Sequence, residues 1–176
     1  MGKIIAFANQ KGGVGKTTTC VNLAAYVAAM GKKVLVVDLD PQGNATSGLG
    51  IDKTKDLKTI YDLISGDTAI DEVIKPTVLE GLDVIPSTVD LAGAEIEMVH
   101  MPQREKIVKG ILDNVKDRYD FIMIDCPPSL GLITVNALTA WNSVIIPMLC
   151  EYYSLIGITQ LMNTIRLIKF HLNPTI

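Results

Sequence analysis

Residues 10–18 read Gln10-Lys11-Gly12-Gly13-Val14-Gly15-Lys16-Thr17-Thr18 and directly follow the apolar run Ile4–Ala8. A strand that ends in a glycine-rich turn and opens into a helix makes a phosphate cradle. The backbone N–H groups of Gly12, Gly13, Val14 and Gly15 point inward, and the helix N-terminus adds positive dipole. Lys16 can reach β- and γ-phosphate oxygens, the Thr17 hydroxyl can hold Mg2+, and Thr18 follows on the same turn. A nucleoside triphosphate is the ligand such a loop takes. The strict spacing G-x-x-x-x-G-K-[ST] asks for glycine at position 10, where the chain has Gln10, and a second cation, Lys11, stands beside the departure.

Three carboxylates add to the loop. Asp38 and Asp40 lie two residues apart after Val34–Val37, and Pro41-Gln42-Gly43-Asn44 then turns the chain. Turn chemistry alone favours those residue types. With a phosphate loop nearby, Asp40 is expected to orient or polarise the attacking water and Asp38 to stand nearer the Mg2+ shell, since hydrolysis needs positioning and charge neutralisation. Phe121-Ile122-Met123-Ile124-Asp125 is an apolar strand ending in a carboxylate, the pattern whose Asp reaches the metal through water. Pro127-Pro128 stiffens the next loop. Cys126 reads as a small buried filler rather than a reactive thiol. Lys11 is either a solvated lysine or a cation that projects outward to the phosphates of a second protomer's nucleotide. In the second case it acts in trans, like an arginine finger, and predicts ATP-dependent dimerisation.

The elements that position these residues alternate. Strands are expected at Ile4–Ala8, Val34–Val37, Leu82–Ile85, Phe121–Ile124 and Ser143–Met148. Helices are expected over Thr17–Met30, Ile60–Ile64, Asp71–Ile74, Val89–Val99, Gln103–Val115, Thr134–Ala140 and Ser154–Leu172, with 39–58 a long surface loop. That order predicts an α/β fold: a doubly wound, mainly parallel sheet with helices on both faces and the ligand at the strand C-terminal ends. The composition agrees, with 48% apolar but only 5% aromatic residues, as suits parallel strands buried under helices. One domain spanning residues 1–176 is expected.

The net charge of −3 gives no bulk argument for nucleic acid or an acidic membrane. Lys53/Lys55/Lys58, Arg104/Lys106/Lys109 and Arg166/Lys169 read as solvated faces. Cys20, Cys126 and Cys150 are widely spaced without a C-x-x-C, which points to a reducing cytoplasmic setting without disulfide or zinc. The first apolar run is too short for a signal peptide, and no run approaches the ~18 residues of a membrane span.

Lys11–Thr18, Asp38–Thr46 and Ile124–Ser129, with Leu91–Glu95 and Cys150–Tyr153, resemble the deviant-Walker ATPases of chromosome and plasmid partitioning, the Soj/ParA family of P-loop NTPases. The resemblance spans the whole chain. It implies ATP and Mg2+ binding, a sandwich homodimer formed on ATP, and weak hydrolysis stimulated by a ParB-type partner. It also implies non-specific DNA binding by the dimer and a nucleoid-associated prokaryotic location. By the same resemblance Lys11 is the signature lysine, Lys16 and Thr17 bind phosphate and Mg2+, and Asp40 assists the water. Ile156 stands where an acidic residue is expected. Family members continue past the position of Ile176, so a fragment or a truncated form is expected, with the base pocket and DNA surface incomplete. The rival readings are a MinD-like spatial-positioning ATPase and a nucleotide-binding fragment without turnover. An iron–sulfur carrier would need clustered cysteines, and a tyrosine kinase a tyrosine-rich tail.

Overall fold

Each apolar run alternates its side chains between two cores, as a strand buried on both faces must. The computed structural model describes residues 2–174, and over 152–156 the backbone alone. The points raised for Tyr152, Tyr153, Leu155 and Ile156 concern side chains outside that set.

The described strands are β1 (Lys3–Phe7), β2 (Val34–Asp38), β3 (Lys75–Pro76), β4 (Leu82–Ile85), β5 (Phe121–Asp125) and β6 (Ser143–Ile145). They form one sheet in the order β3-β4-β2-β5-β1-β6. All neighbours run parallel except β3 against β4. The helices are α1 (Lys16–Ala29), α2 (Asn44–Gly48), α3 (Ile60–Ser65), α4 (Ile70–Val73), α5 (Leu91–Met98), α6 (Ile107–Asp113), α7 (Leu132–Ala140) and α8 (Tyr152–His171). On one face, Phe7, Val34, Val36, Val84 and Met123 pack on Cys20, Ala24 and Ala28 of α1 and on Ala45 of α2. Small residues at i, i+4 and i+8 let α1 lie close to the sheet. On the other face Ile4, Ala6, Leu35, Val37, Ile85, Ile122 and Ile124 meet buried residues of α3 and α5–α8. The doubly wound α/β architecture is therefore present.

Several boundaries differ from the sequence expectation for local reasons. The segment 39–58 is not all loop, because α2 forms inside it. Its N-cap, Gly43, offers no side chain. Instead the Asp38 carboxylate reaches from the end of β2 to accept the Thr46 N–H at 2.8 Å, capping the helix from outside it. The expected helix 103–115 is broken into a 3-10 turn at Arg104–Lys106 and then α6, entered through Gln103 in a left-handed conformation (φ 51°). β6 stops at Ile145. The short antiparallel β3 has no counterpart in the sequence expectation, since its two residues carry too little pattern to read.

Candidate functional site

Parallel register brings the ends of three strands into a row. Asp125 at the end of β5 is the Cα partner of Phe7 on β1 and of Asp38 on β2. The loop leaving β1 and the turn leaving β2 therefore flank Asp125, and the sequence-predicted residues converge on this one edge.

The loop 8–15 is anchored at its start by Asn9. The Asn9 Nδ2 donates to the Pro147 carbonyl at 2.7 Å, and its Oδ1 accepts the Lys11 N–H at 3.0 Å. Gly13 (φ 73°) and Gly15 (φ 86°) are left-handed, a conformation glycine adopts without steric cost. A Cβ at Gly12 or Gly13 would meet nothing within 4 Å, so these glycines serve backbone shape and open space rather than packing. Val14 is buried and locks the loop to the core. Lys16 opens α1, is only 7% exposed, and its Nζ donates across the loop to the Lys11 carbonyl at 3.4 Å. Thr17 is half-buried toward Asp125, whereas Thr18 is exposed on the next position of the helix.

Asp38 and Asp125 are both fully buried, yet their surroundings differ. Asp38 Oδ1 accepts the Asp40 N–H at 3.1 Å, and Oδ2 accepts the Thr46 N–H at 2.8 Å and the Thr46 hydroxyl at 2.7 Å. Burial pushes its pKa up to about 6 against those bonds. Asp125 has no hydrogen-bond partner of normal geometry on either oxygen. Burial pushes its pKa up to about 7, the nearby Thr17 hydroxyl pulls it down, and Asp38 and Asp40 add repulsion that Lys16 partly offsets. Asp40 is buried at the start of the turn; its Oδ1 accepts the Gln42 N–H at 2.9 Å, and its carbonyl accepts the Gly43 N–H at 2.8 Å.

These residues fit a Mg2+ ion accompanied by phosphate. A buried carboxylate without a donor, beside a threonine hydroxyl, supplies the one or two protein oxygens that Mg2+ takes when phosphates and water fill its remaining positions. No group of three or more His, Cys, Asp or Glu among the described residues could cage a metal unaided. A concavity of about 590 Å³ lies at the other end of the sheet around Ala28, Lys32 and Gly81, away from the phosphate loop and the three carboxylates.

Lys11 is placed differently from Lys16. Its ammonium forms an ion pair with Glu151, just ahead of α8, rather than entering the cradle. Sequence reasoning did not find Asn9, Thr46 or Glu151, whose partners lie 138, 8 and 140 positions away. Four of the eight lysines and arginines read as solvated faces hold acidic partners: Lys55 with Asp52, Lys58 with Glu72 (2.5 Å), Arg104 with Glu105 and Lys109 with Asp113 (2.6 Å). Cys20 and Cys126 are buried, and burial pushes both thiols well above their ordinary range. No described helix is long and apolar enough to cross a membrane.

Residues 2–176 match the AAA_31 family, described as an AAA domain. The sporulation initiation inhibitor protein Soj of Bacillus subtilis is 61% identical over 173 residues, covering 98% of this chain and 68% of that protein. The chromosome-partitioning ATPase Soj of Treponema pallidum is 51% identical, covering 100% and 68%, and the chromosome partitioning protein ParA of Myxococcus xanthus is 53% identical, covering 99% and 62%. The chain thus spans about two thirds of the length of these curated relatives. Among solved structures, the cobyrinic acid a,c-diamide synthase of Mycobacterium smegmatis with bound ATP analog and magnesium superposes with a TM-score of 0.94 at 40% identity, covering 99% of this chain and 71% of that one. A putative plasmid partition protein of Borrelia burgdorferi bound to AMPPNP gives 0.85 at 32%, covering 96% and 70%. With its phosphate loop, its three carboxylates on one sheet edge and these identities, the chain belongs to the AAA_31 family and, within it, to the ATP-binding Soj/ParA chromosome-partitioning P-loop ATPases.

Proposed function

We propose that the chain binds and hydrolyses ATP with Mg2+, as one ATPase domain of a partitioning protein that dimerises on ATP. The observation that carries this reading is the orphaned Asp125 carboxylate between Thr17, Lys16 and Asp40. Bound Mg2+ would neutralise charge developing on the β- and γ-phosphate oxygens. Thr17 and Asp125 would hold it, directly or through water, and Asp38 would stand behind them as the anchor of the turn. The N–H groups of residues 12–18 would cradle the phosphates, and Lys16, already aimed across the loop, would bind β/γ oxygens. Asp40 commits Oδ1 to its own turn, which leaves Oδ2 to accept a hydrogen bond from the attacking water and align it.

Lys11 serves the dimer in this reading. Because its ammonium faces Glu151 and not the cradle of its own chain, its phosphate partner belongs to a second protomer, and the ion pair opens when the sandwich forms. The relatives named for chromosome partitioning extend the proposal to non-specific DNA binding, a ParB-type partner that stimulates turnover, and a cytoplasmic, nucleoid-associated location.

Phosphate release measured beside the nucleotide-induced thermal shift tests the reading. ATP–Mg2+ is expected to raise the melting temperature and to be turned over, and Asp40→Ala to keep the shift while losing turnover. A shift without turnover in the unaltered chain makes it a binding module only. No shift at all removes the nucleotide site. Lys11→Ala is expected to keep monomer affinity and lose ATP-driven dimerisation; an unchanged dimer would end the trans role.

A further inference from the structure

We infer that Lys53 is a positioning residue for the turn that carries Asp40, an inference that rests on the water-aligning role given to Asp40 above. The Lys53 ammonium donates to two consecutive backbone carbonyls of that turn, Gln42 at 2.8 Å and Gly43 at 3.1 Å. Charge-assisted bonds of this kind are about twice as strong as neutral ones. They reach the turn from outside, across ten or eleven residues.

Two ties hold the turn from either side. On the sheet side, Asp38 holds Thr46 through two bonds, and the Thr46 hydroxyl in turn accepts the Ser87 N–H at 2.9 Å. On the solvent side the tie is Lys53. Gly43 is pressed between the two. A Cβ there would lie 2.5 Å from the Ser87 carbonyl and 3.0 Å from both Cδ and Nζ of Lys53. The Asp40 carboxylate and carbonyl are bonded to the N–H groups of Gln42 and Gly43, the same two residues whose carbonyls Lys53 grips. Movement of those peptides therefore moves Asp40. Lys53 itself is half-buried and presented by an organised loop, in which Asp52 Oδ1 accepts the Thr54 N–H at 3.0 Å and its hydroxyl at 2.7 Å. A lysine that the sequence alone puts on a solvated face is thus a strut.

The test uses the whole chain with Lys53→Met, which keeps the stem and removes the ammonium, and Lys53→Arg, which keeps the donors. Single-turnover ATP hydrolysis, ATP affinity and amide hydrogen exchange are measured on each. Lys53→Met is expected to slow hydrolysis about ten-fold with affinity within about two-fold, since misplacing a group by an ångström costs rate before binding. Lys53→Arg is expected to recover most of the rate. Exchange at the Gln42 and Gly43 amides is expected to quicken in Lys53→Met and not at β2. Wild-type rate and exchange in Lys53→Met overturn the inference. So does a parallel loss of affinity, or a loss that arginine does not recover. If Asp40→Ala hydrolyses normally, the role of Asp40 fails instead, and exchange at Gly43 still decides whether Lys53 holds the turn.

Discussion

The ends of β2 and β5 stand side by side in register, each finishing in a buried aspartate, and they solve the burial of a carboxylate in opposite ways. At β2, Asp38 collects two backbone N–H groups and a hydroxyl, all from the segment immediately after it. At β5, Asp125 collects no such set, because Cys126-Pro127-Pro128 leads away and cannot fold back a turn of N–H groups. A satisfied carboxylate organises its neighbourhood, whereas an unsatisfied one is costly unless a proton or a cation joins it. In the reading proposed above, this contrast is the reason to give Asp38 the holding of the Asp40 turn and Asp125 the metal.

The sharpest way to break that contrast is to neutralise each carboxylate in turn. Asp125→Asn is expected to lower ATP turnover on the order of a hundred-fold, the scale of losing one electrostatic contact made at the reacting phosphates. It is also expected to abolish the Mg2+ dependence of nucleotide binding, read by titration calorimetry with and without Mg2+. Equal Mg2+ dependence in Asp125→Asn and the unaltered chain would transfer the metal role elsewhere, with Asp38 the nearest candidate.

The second effect is on stability against pH without nucleotide. Both aspartates have raised pKa values, about 6 for Asp38 and about 7 for Asp125. Between pH ~4 and pH ~7 the folded chain therefore keeps protons that the unfolded chain has released, and stability falls as pH rises through that window. A tenfold difference in proton affinity between the folded and unfolded chain is worth ~1.4 kcal/mol, so the fall should amount to several kcal/mol. The lysine bond to Glu72 and the arginine bond to Glu105 hold those carboxyls below their usual range, so they act at lower pH. Denaturation by urea at pH 5 and pH 8 checks the slope. Asp125→Asn should flatten it and make the nucleotide-free protein more stable at pH 8. A slope that rises with pH would place a neutralising cation or donor at Asp125 already.

How much is legible in the sequence differs between the same two regions. The strand ends, the phosphate loop and the three carboxylates follow from short-range pattern: apolar runs, glycine spacing, and Asp at the point where the run stops. Pairing at a distance stays hidden. Nothing local marks Thr46 as the residue that Asp38 caps, so α2 does not stand out from the loop around it. Lys53 looks like any lysine among Asp52 and Lys55. Glu151 meets Lys11 only because β1 and the segment after β6 are neighbours in the sheet. Local pattern locates the groups that are candidates for chemistry, but only the three-dimensional arrangement shows which of them are already engaged.

A smaller effect probes the β2 end alone. Thr46→Val keeps the shape and the backbone N–H but removes the hydroxyl from Asp38 Oδ2 and the acceptor of the Ser87 N–H. Leaving those buried groups short of a partner is expected to cost about 1–3 kcal/mol, while Mg2+-dependent affinity stays close to that of the unaltered chain. Loss of affinity with no loss of stability would mean that Asp38 does face the metal.

The smallest expected effect separates a tolerated orphan from a functional one. The Ser87 hydroxyl is also buried without a partner, next to the same network, although its N–H is used by Thr46. A neutral hydroxyl left unpaired costs far less than a carboxylate and needs no cation to complete it. Ser87→Ala removes it and keeps the backbone bond, so stability should change by no more than ~0.5 kcal/mol, and turnover should not change. If Ser87→Ala instead weakened Mg2+–ATP binding as Asp125→Asn is expected to, an unsatisfied polar atom at this edge would no longer distinguish the metal ligand. The assignment of Asp125 would then rest on its nearness to Lys16 and Thr17 alone.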